Sequence, residues 1–213
     1  KDAQDIQTKT YLAENYTHLA AIYSSIKNNE TSLECIKKAL IISKSIDAYW
    51  ETGESYEFMF AHYFDQKQYP IAQKYIDSAQ TMYAKVENVQ GIQFLDKYRA
   101  EIYLKQDKPD LAIPIYDALL QIDKKDSVAY ILAEGYTFLS KAYTNKNKFK
   151  LAEKYLDSAR VQASISENLS HQISIASQQA KIYKQKKQLG LGILELQTIL
   201  KNEEISSFQE SKK

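Results

Sequence analysis

Apolar and polar residues follow one another along this chain in the three-to-four-residue rhythm of amphipathic helices, and the helices come in pairs. Tyr136, Leu139 and Tyr143 stand at i, i+3 and i+7, and Phe149, Ala152, Leu156 and Ala159 keep that spacing after a polar break from Thr144 to Lys148. Tyr56, Met59 and Tyr63 precede a second break, Gln66-Lys67-Gln68, and Tyr69-Pro70 then opens the next helix. Pro suits a first turn, where its missing N–H has no partner to lose, and Pro109 stands in the same place one hairpin later. Asp47, Asn88, Asp126-Ser127 and Asn168 fall at junctions, where their side chains can accept from the orphan N–H groups of a helix start. The pattern predicts helices over 8–27, 31–46, 48–67, 69–86, 89–106, 109–123, 128–147, 149–166, 169–187 and 189–202. Pro114 lies about a turn inside the sixth, so that helix either begins later or bends there.

The pairs are copies of one unit. Tyr23, Tyr63, Tyr103, Tyr143 and Tyr183 are spaced by 40 residues, and other columns agree in size. Nine residues after each tyrosine come Ser32, Ala72, Ala112, Ala152 and Gly192, all small. Thirteen after come Ile36, Ile76, Tyr116, Leu156 and Leu196, all large. Sixteen after come Ala39, Ala79, Leu119, Ala159 and Ile199, and three before come Ala20, Phe60, Ala100, Ser140 and Ala180. The run Lys74 to Ala79 recurs almost letter for letter as Lys154 to Ala159. Small residues let helix axes approach closely, so the tyrosines are expected as large knobs opposite them. Units that cannot bury their apolar faces alone must stack.

Composition narrows the function. With 28 Lys+Arg against 27 Asp+Glu the chain lacks the cationic excess that general polyanion binding requires. Only 5 Gly and 3 Pro argue against a turn-rich β or α/β fold, and no apolar run is long enough to cross a bilayer. His18, His62 and His171 have no partners at metal-ligating spacing, and Cys35 beside Ile36 reads as a buried inert thiol. Gly190-Leu191-Gly192 lacks the strand context of a phosphate loop. Neither a catalytic set, a metal site nor a cofactor is expected. The clusters Lys146, Lys148, Lys150 and Lys181, Lys184, Lys186, Lys187 read as solvated loop flanks rather than as DNA contacts.

The five-fold series resembles the tetratricopeptide repeat (TPR) family. Tyr136, Leu139, Ser140, Tyr143, Ala152, Leu156 and Ala159 carry its pattern in the fourth unit. Tyr16, Leu19, Ala20, Tyr23, Ser32, Ile36 and Ala39 carry it in the first. The third unit departs at Asp96 and Arg99, and the fifth at Ala176 and Gln179. The resemblance implies an all-α, right-handed superhelical solenoid of about five hairpins in a single domain over 1–213. Its repeats would span 8–46, 48–86, 89–123, 128–166 and 169–202, with 203–213 starting a further helix.

The resemblance also implies that the first helix of each pair lines a concave groove that takes a protein or an extended peptide. Carried over by offset from the tyrosines, its lining includes Glu14, Glu54, Glu57, Phe64, Phe94, Lys97, Glu101, Leu104, Glu134, Lys141, Lys181 and Lys184. Thr17, Thr137 and Thr144 fall at the same offsets. The groove is thus expected to run from acidic to basic, with an apolar patch at Phe64, Phe94 and Leu104 between. The clamp by which family members grip a chain terminus, a Lys with an Asn four residues on, is found in none of the units. By the same resemblance the chain is expected to be the non-catalytic sensory region of a bacterial signal-transduction regulator, a histidine kinase or transcriptional regulator, with a periplasmic placement. A cytoplasmic peptide-sensing regulator and a passive scaffold are the alternatives. The apolar residues from Leu189 to Leu200, without a helix to cover them, suggest an excised fragment or a homodimer through the C-terminal helices.

Overall fold

A computed structural model describes residues 3–126, 128–166, 169–186, 197 and 201, with side chains throughout except at 123–126. The described residues form helices α1 (Ala3–Ser25), α2 (Asn29–Ser45), α3 (Tyr49–Asp65), α4 (Tyr69–Lys85), α5 (Val89–Lys105), α6 (Pro109–Asp126), α7 (Ala129–Asn145), α8 (Phe149–Ser166) and α9 (Leu169–Gln185). The helix and homodimer expected beyond residue 187, together with Ser127 and Asn168, lie outside the described residues. The chain divides within α5 into two compact units, Lys1–Ile102 and Tyr103–Lys213. The fold is a helical repeat solenoid of antiparallel hairpins.

The backbone repeats twice as often as the sequence. Lys27, Asp47, Lys67, Glu87, Asp107 and Asn147, twenty residues apart or a multiple of it, all have positive φ of 53–61°. Each closes a Schellman motif. The amide after it donates to the carbonyl five residues back, as Asn28 does to Tyr23 (2.8 Å), Gln68 to Tyr63 (2.9 Å), Asn88 to Tyr83 (2.9 Å) and Lys148 to Tyr143 (2.9 Å). The left-handed position, usually glycine, is here occupied by Lys, Glu, Asp or Asn, so glycine scarcity reflects strained caps rather than missing turns. Asp47 is therefore no N-cap: it holds the left-handed position, and the N-cap is Ala48. Asn88 does cap α5, accepting from the Gly91 amide at 2.9 Å. α6 starts at Pro109 and runs through Pro114, so Pro114 does not delay it, although the Asp110 carbonyl is left without an amide donor four residues on.

The predicted columns are the core. In the first unit Ala20, Ile36, Ala39, Phe60, Ala72, Ile76, Ala79 and Ala100 are buried, and in the second Ala112, Tyr116, Ser140, Ala152, Leu156 and Ala159. The periodic tyrosines pack differently from the expectation of knobs against the small column. Tyr63 lies flat against Tyr75 (centroids 5.4 Å, planes 8° apart), and Tyr143 against Tyr155 (5.3 Å, 4°). Phenols stack face to face across these two hairpins, which accounts for the Lys-Tyr run they share. The departures at Asp96 and Arg99 are absorbed by a polar network: Gln80 donates to Asp96 at 2.7 Å, and Arg99 bonds Gln80 and pairs with Asp77 at 2.7 Å. Arg160 donates to Gln179 at 3.3 Å at the corresponding place in the second unit.

Candidate functional site

In the first unit α3 and α5 leave a hollow that begins with an out-of-pattern tyrosine. The position twenty residues after the periodic tyrosine is small in the first and fourth repeats, Ser43 and Ala163, but here it is Tyr83, 2% exposed. Two helix-interior glycines make room for it. A Cβ on Gly53 would fall 2.5 Å from Tyr83 Cε1, and one on Gly91 would fall 2.7 Å from Cδ2, at the opposite edge of the ring. Held from both sides, the Tyr83 hydroxyl donates to Glu57 Oε2 at 2.7 Å. Burial and this bond to a carboxylate push the phenol far above its ordinary range.

Around that pair lies a cavity of about 310 Å³ lined by Trp50, Glu54, Glu57, Phe58, Tyr83, Asn88, Gln90, Gly91 and Phe94. Trp50 is half-exposed and tilts against Tyr83 with ring centres 5.9 Å apart. A second cavity of about 330 Å³ shares Glu57, Phe58 and Phe94 and adds Phe60, Ala61, Phe64, Asp65 and Tyr98. Its rings meet edge to face: Phe94–Tyr98 at 4.8 Å, Phe60–Tyr98 at 5.0 Å and Phe64–Tyr98 at 5.5 Å. Burial raises the Glu54 carboxyl above the usual carboxylate range. A hydrogen bond from Trp50 opposes that shift, and the charges of Glu51, Glu57 and Glu14 add to it. Burial likewise raises Glu57, against the bond from Tyr83. Among the described residues neither carboxylate meets a basic side chain.

Four of the groove residues expected from sequence, Glu54, Glu57, Phe64 and Phe94, thus line this pair of hollows, and Glu14 reaches Glu54 through its charge. Lys97 lies 5.7 Å from the ring centres of Phe94 and Tyr98, with Glu101 one turn further along α5. Leu104 is not among the lining residues: it falls in the second unit, half-buried, its carbonyl accepting from Asn145 at 3.4 Å. In that unit Glu134 is half-buried, Lys141 sits 4.8 Å from the Phe138 ring centre, and Lys184 is exposed. Lys181 donates to Asn145 at 3.2 Å, and burial, then the charge of Lys105, lowers its pKa. Thr17, Thr137 and Thr144 are buried instead of lining an open face, their hydroxyls donating to the carbonyls of Ala13, Ala133 and Ser140. Sequence reasoning missed Trp50, Phe58, Tyr83 and Tyr98. The available signals were Gly53 inside α3, Gly91 in the first turn of α5, and a tyrosine where the first and fourth repeats have Ser43 and Ala163. No three metal-ligating side chains gather among the described residues, and no helix there is long and apolar enough to cross a membrane.

A family model described as tetratricopeptide repeat matches residues 13–45. The fold of the chain is that of TPR-like helical repeats. Its hairpins superpose on the nearly identical TPR-like repeats of a Podosopora anserina protein named for kinesin light chain, with TM-score 0.71, 16% identity, and 90% of this chain and 93% of that one covered. They also superpose on aspartyl phosphate phosphatase F from Bacillus subtilis (0.70, 14%, 91% and 60%) and on BtubC from P. vanneervenii (0.66, 16%, 74% and 65%). The chain therefore spans less than two thirds of the length of those last two proteins. No curated protein sequence matches it.

Proposed function

We propose that this chain is a non-catalytic protein-interaction module that receives an extended segment of a partner along the first helices of its hairpins. The observation that carries the proposal is the pair of open, aromatic and acidic hollows between α3 and α5. A TPR-type solenoid fold supports it, since such stacks offer elongated faces on which one partner residue after another can be held. In the second unit Lys141, Lys181 and Lys184 give the corresponding helices a basic character, with which an acidic stretch of the partner would pair. Selection of random linear peptides on the whole protein tests the proposal. Binders are expected to lose about tenfold or more in affinity on Phe64→Ala, as for an interface anchor. Those carrying acidic residues are expected to weaken on Lys181→Glu. Selected peptides indifferent to both substitutions would remove the groove.

The finer proposal is that the module is the sensory region of a bacterial signalling regulator. Its support is the resemblance of these Tyr- and Lys-rich forty-residue units to that class. Gene sequence beyond residue 213 tests it: a transmembrane segment followed by a kinase domain supports it, and an unrelated catalytic domain there would oppose it.

A further inference from the structure

The two hollows differ in chemistry. The Phe64 cavity is walled by rings, with Asp65 and Glu57 at its edge. The Trp50 cavity combines an indole, a phenol and a phenyl ring with two carboxylates. Elsewhere in the unit the aromatic faces already hold the chain's own cations: Lys38 over Tyr16 at 5.5 Å, Lys44 over Tyr56 at 5.0 Å and Lys85 over Tyr49 at 4.2 Å. Among the described residues Trp50, Glu54 and Glu57 have no such partner, and Lys97 reaches only the Phe94 and Tyr98 rings. Four carboxylates, Glu14, Glu51, Glu54 and Glu57, bear on one place. Their mutual repulsion and partial burial are unfavourable in the free protein, and the charge and hydrogen bonds of a guanidinium entering between them would offset that repulsion. A planar, weakly hydrated cation also stacks on an indole face and bonds carboxylate oxygens through several N–H groups, which an ammonium does less well. About 310 Å³ is the lower end of ligand-site volumes and suits one long side chain, not a cofactor.

We infer that the Trp50 cavity takes the arginine side chain of a partner peptide, and that the adjoining Phe64 cavity takes an apolar side chain beside it. The inference rests on the proposed groove and names what the first unit selects: a basic–apolar pair, with the backbone crossing the ridge of Phe58 and Phe94 that the two cavities share.

Trp50 is the only tryptophan of the chain, so its fluorescence reports on this cavity directly. The full chain is titrated with capped Arg-Leu and citrulline-Leu dipeptide amides and with n-butylguanidinium. The expected result is a saturable change in Trp50 emission with Arg-Leu, at least tenfold weaker with citrulline-Leu and with the free guanidinium. The Glu54→Gln/Glu57→Gln double variant is expected to lose the preference for Arg over citrulline while keeping its helical circular dichroism. Equal binding of Arg and citrulline, a Trp50 signal silent to both dipeptides, or a preference that survives the double variant would overturn the inference. If, alongside any of these, selected peptides still depend on Phe64, the groove stands and only its arginine specificity falls. If n-butylguanidinium binds as tightly as Arg-Leu, the cavity is a small-cation site and the peptide assignment is wrong.

Discussion

The two units of this chain share a backbone and differ in what they place on it. Shifting by eighty residues carries Trp50 to Tyr130, Gly53 to Ala133, Glu57 to Thr137, Phe64 to Thr144, Tyr83 to Ala163, Gly91 to His171, Phe94 to Ser174 and Tyr98 to Gln178. In the second unit Ala133 and Ala163 are buried in one core cluster with Ile175, the ordinary close packing of small residues. There Gln178 donates to Thr144 at 2.8 Å in a buried pair. In the first unit the same positions hold a ring between two glycines and a set of aromatic walls. The columns that join helices are common to both units: Ala72 and Ala152, Ile76 and Leu156, Ala79 and Ala159. The two units therefore differ on the first-helix face and at the last turn of α4, while the columns that join helices stay the same.

Breaking the comparison at its centre has the largest effect. Tyr83→Ala makes the first unit resemble the second at that position but keeps Gly53 and Gly91, so nothing fills the space. A loss of about 3–5 kcal/mol is expected from denaturant unfolding, as for other buried aromatics cut to alanine. Gly53→Ala comes next. A helix-interior Gly→Ala change ordinarily stabilises by about 0.5–1 kcal/mol. Here the new methyl meets a ring pinned by Glu57 on one side and Gly91 on the other, so a loss of about 1–3 kcal/mol is expected. Adding Tyr83→Ala to Gly53→Ala should cost less than the sum of the two, and strict additivity in the double-mutant cycle would show that the ring and the glycine do not constrain each other.

Smaller effects sharpen the contrast at the caps. Glu87 holds a left-handed conformation at φ 53° at the end of α4, and Asn147 does so at φ 55° at the end of α7. Glu87→Gly is expected to stabilise by about 0.5–1 kcal/mol by relieving this strain. Asn147→Gly should gain less, because Asn tolerates this region. Equal shifts in melting temperature would contradict the cap assignment. The smallest effect is electrostatic. Burial raises Glu54 and Glu57 above the ordinary carboxylate pKa. In the interval between that value and the raised one the folded state holds more protons than the unfolded state, so stability falls as pH rises through it. Glu57→Gln should therefore raise the melting temperature at pH 7 and flatten the dependence on pH just above the ordinary carboxylate pKa. A lowered melting temperature at pH 7 would show that the ionised carboxylate is stabilising.

Most of the scaffold was legible because its rules are periodic. Residues such as Ala72, Ile76 and Ala79 recur with their sizes intact, and each recurrence is an independent witness to the same packing. The strained caps were not legible: Lys67 and Glu87 carry no turn signature, and their left-handed backbone is imposed by the helix that follows. Part of the lining of the two hollows could be read for the same reason as the scaffold, since Glu54, Glu57, Phe64 and Phe94 lie at repeated offsets. Tyr83 and Trp50 lie outside those offsets, and a single sequence presents them as exceptions in a pattern. Gly53 was the stronger clue, because a glycine inside an amphipathic helix calls for a neighbour that needs its space. The buried threonines were misplaced because offset alone does not say whether a facing residue such as Gln178 closes over a position.

Hydrogen–deuterium exchange on the full chain, with and without a saturating peptide selected on it, tests most directly whether the α3–α5 face is where partners dock. The expected result is slowed exchange concentrated in 49–65 and 89–105, with α2 and α4 unchanged. Protection confined to α2 and α4, or to the second unit alone, would contradict it.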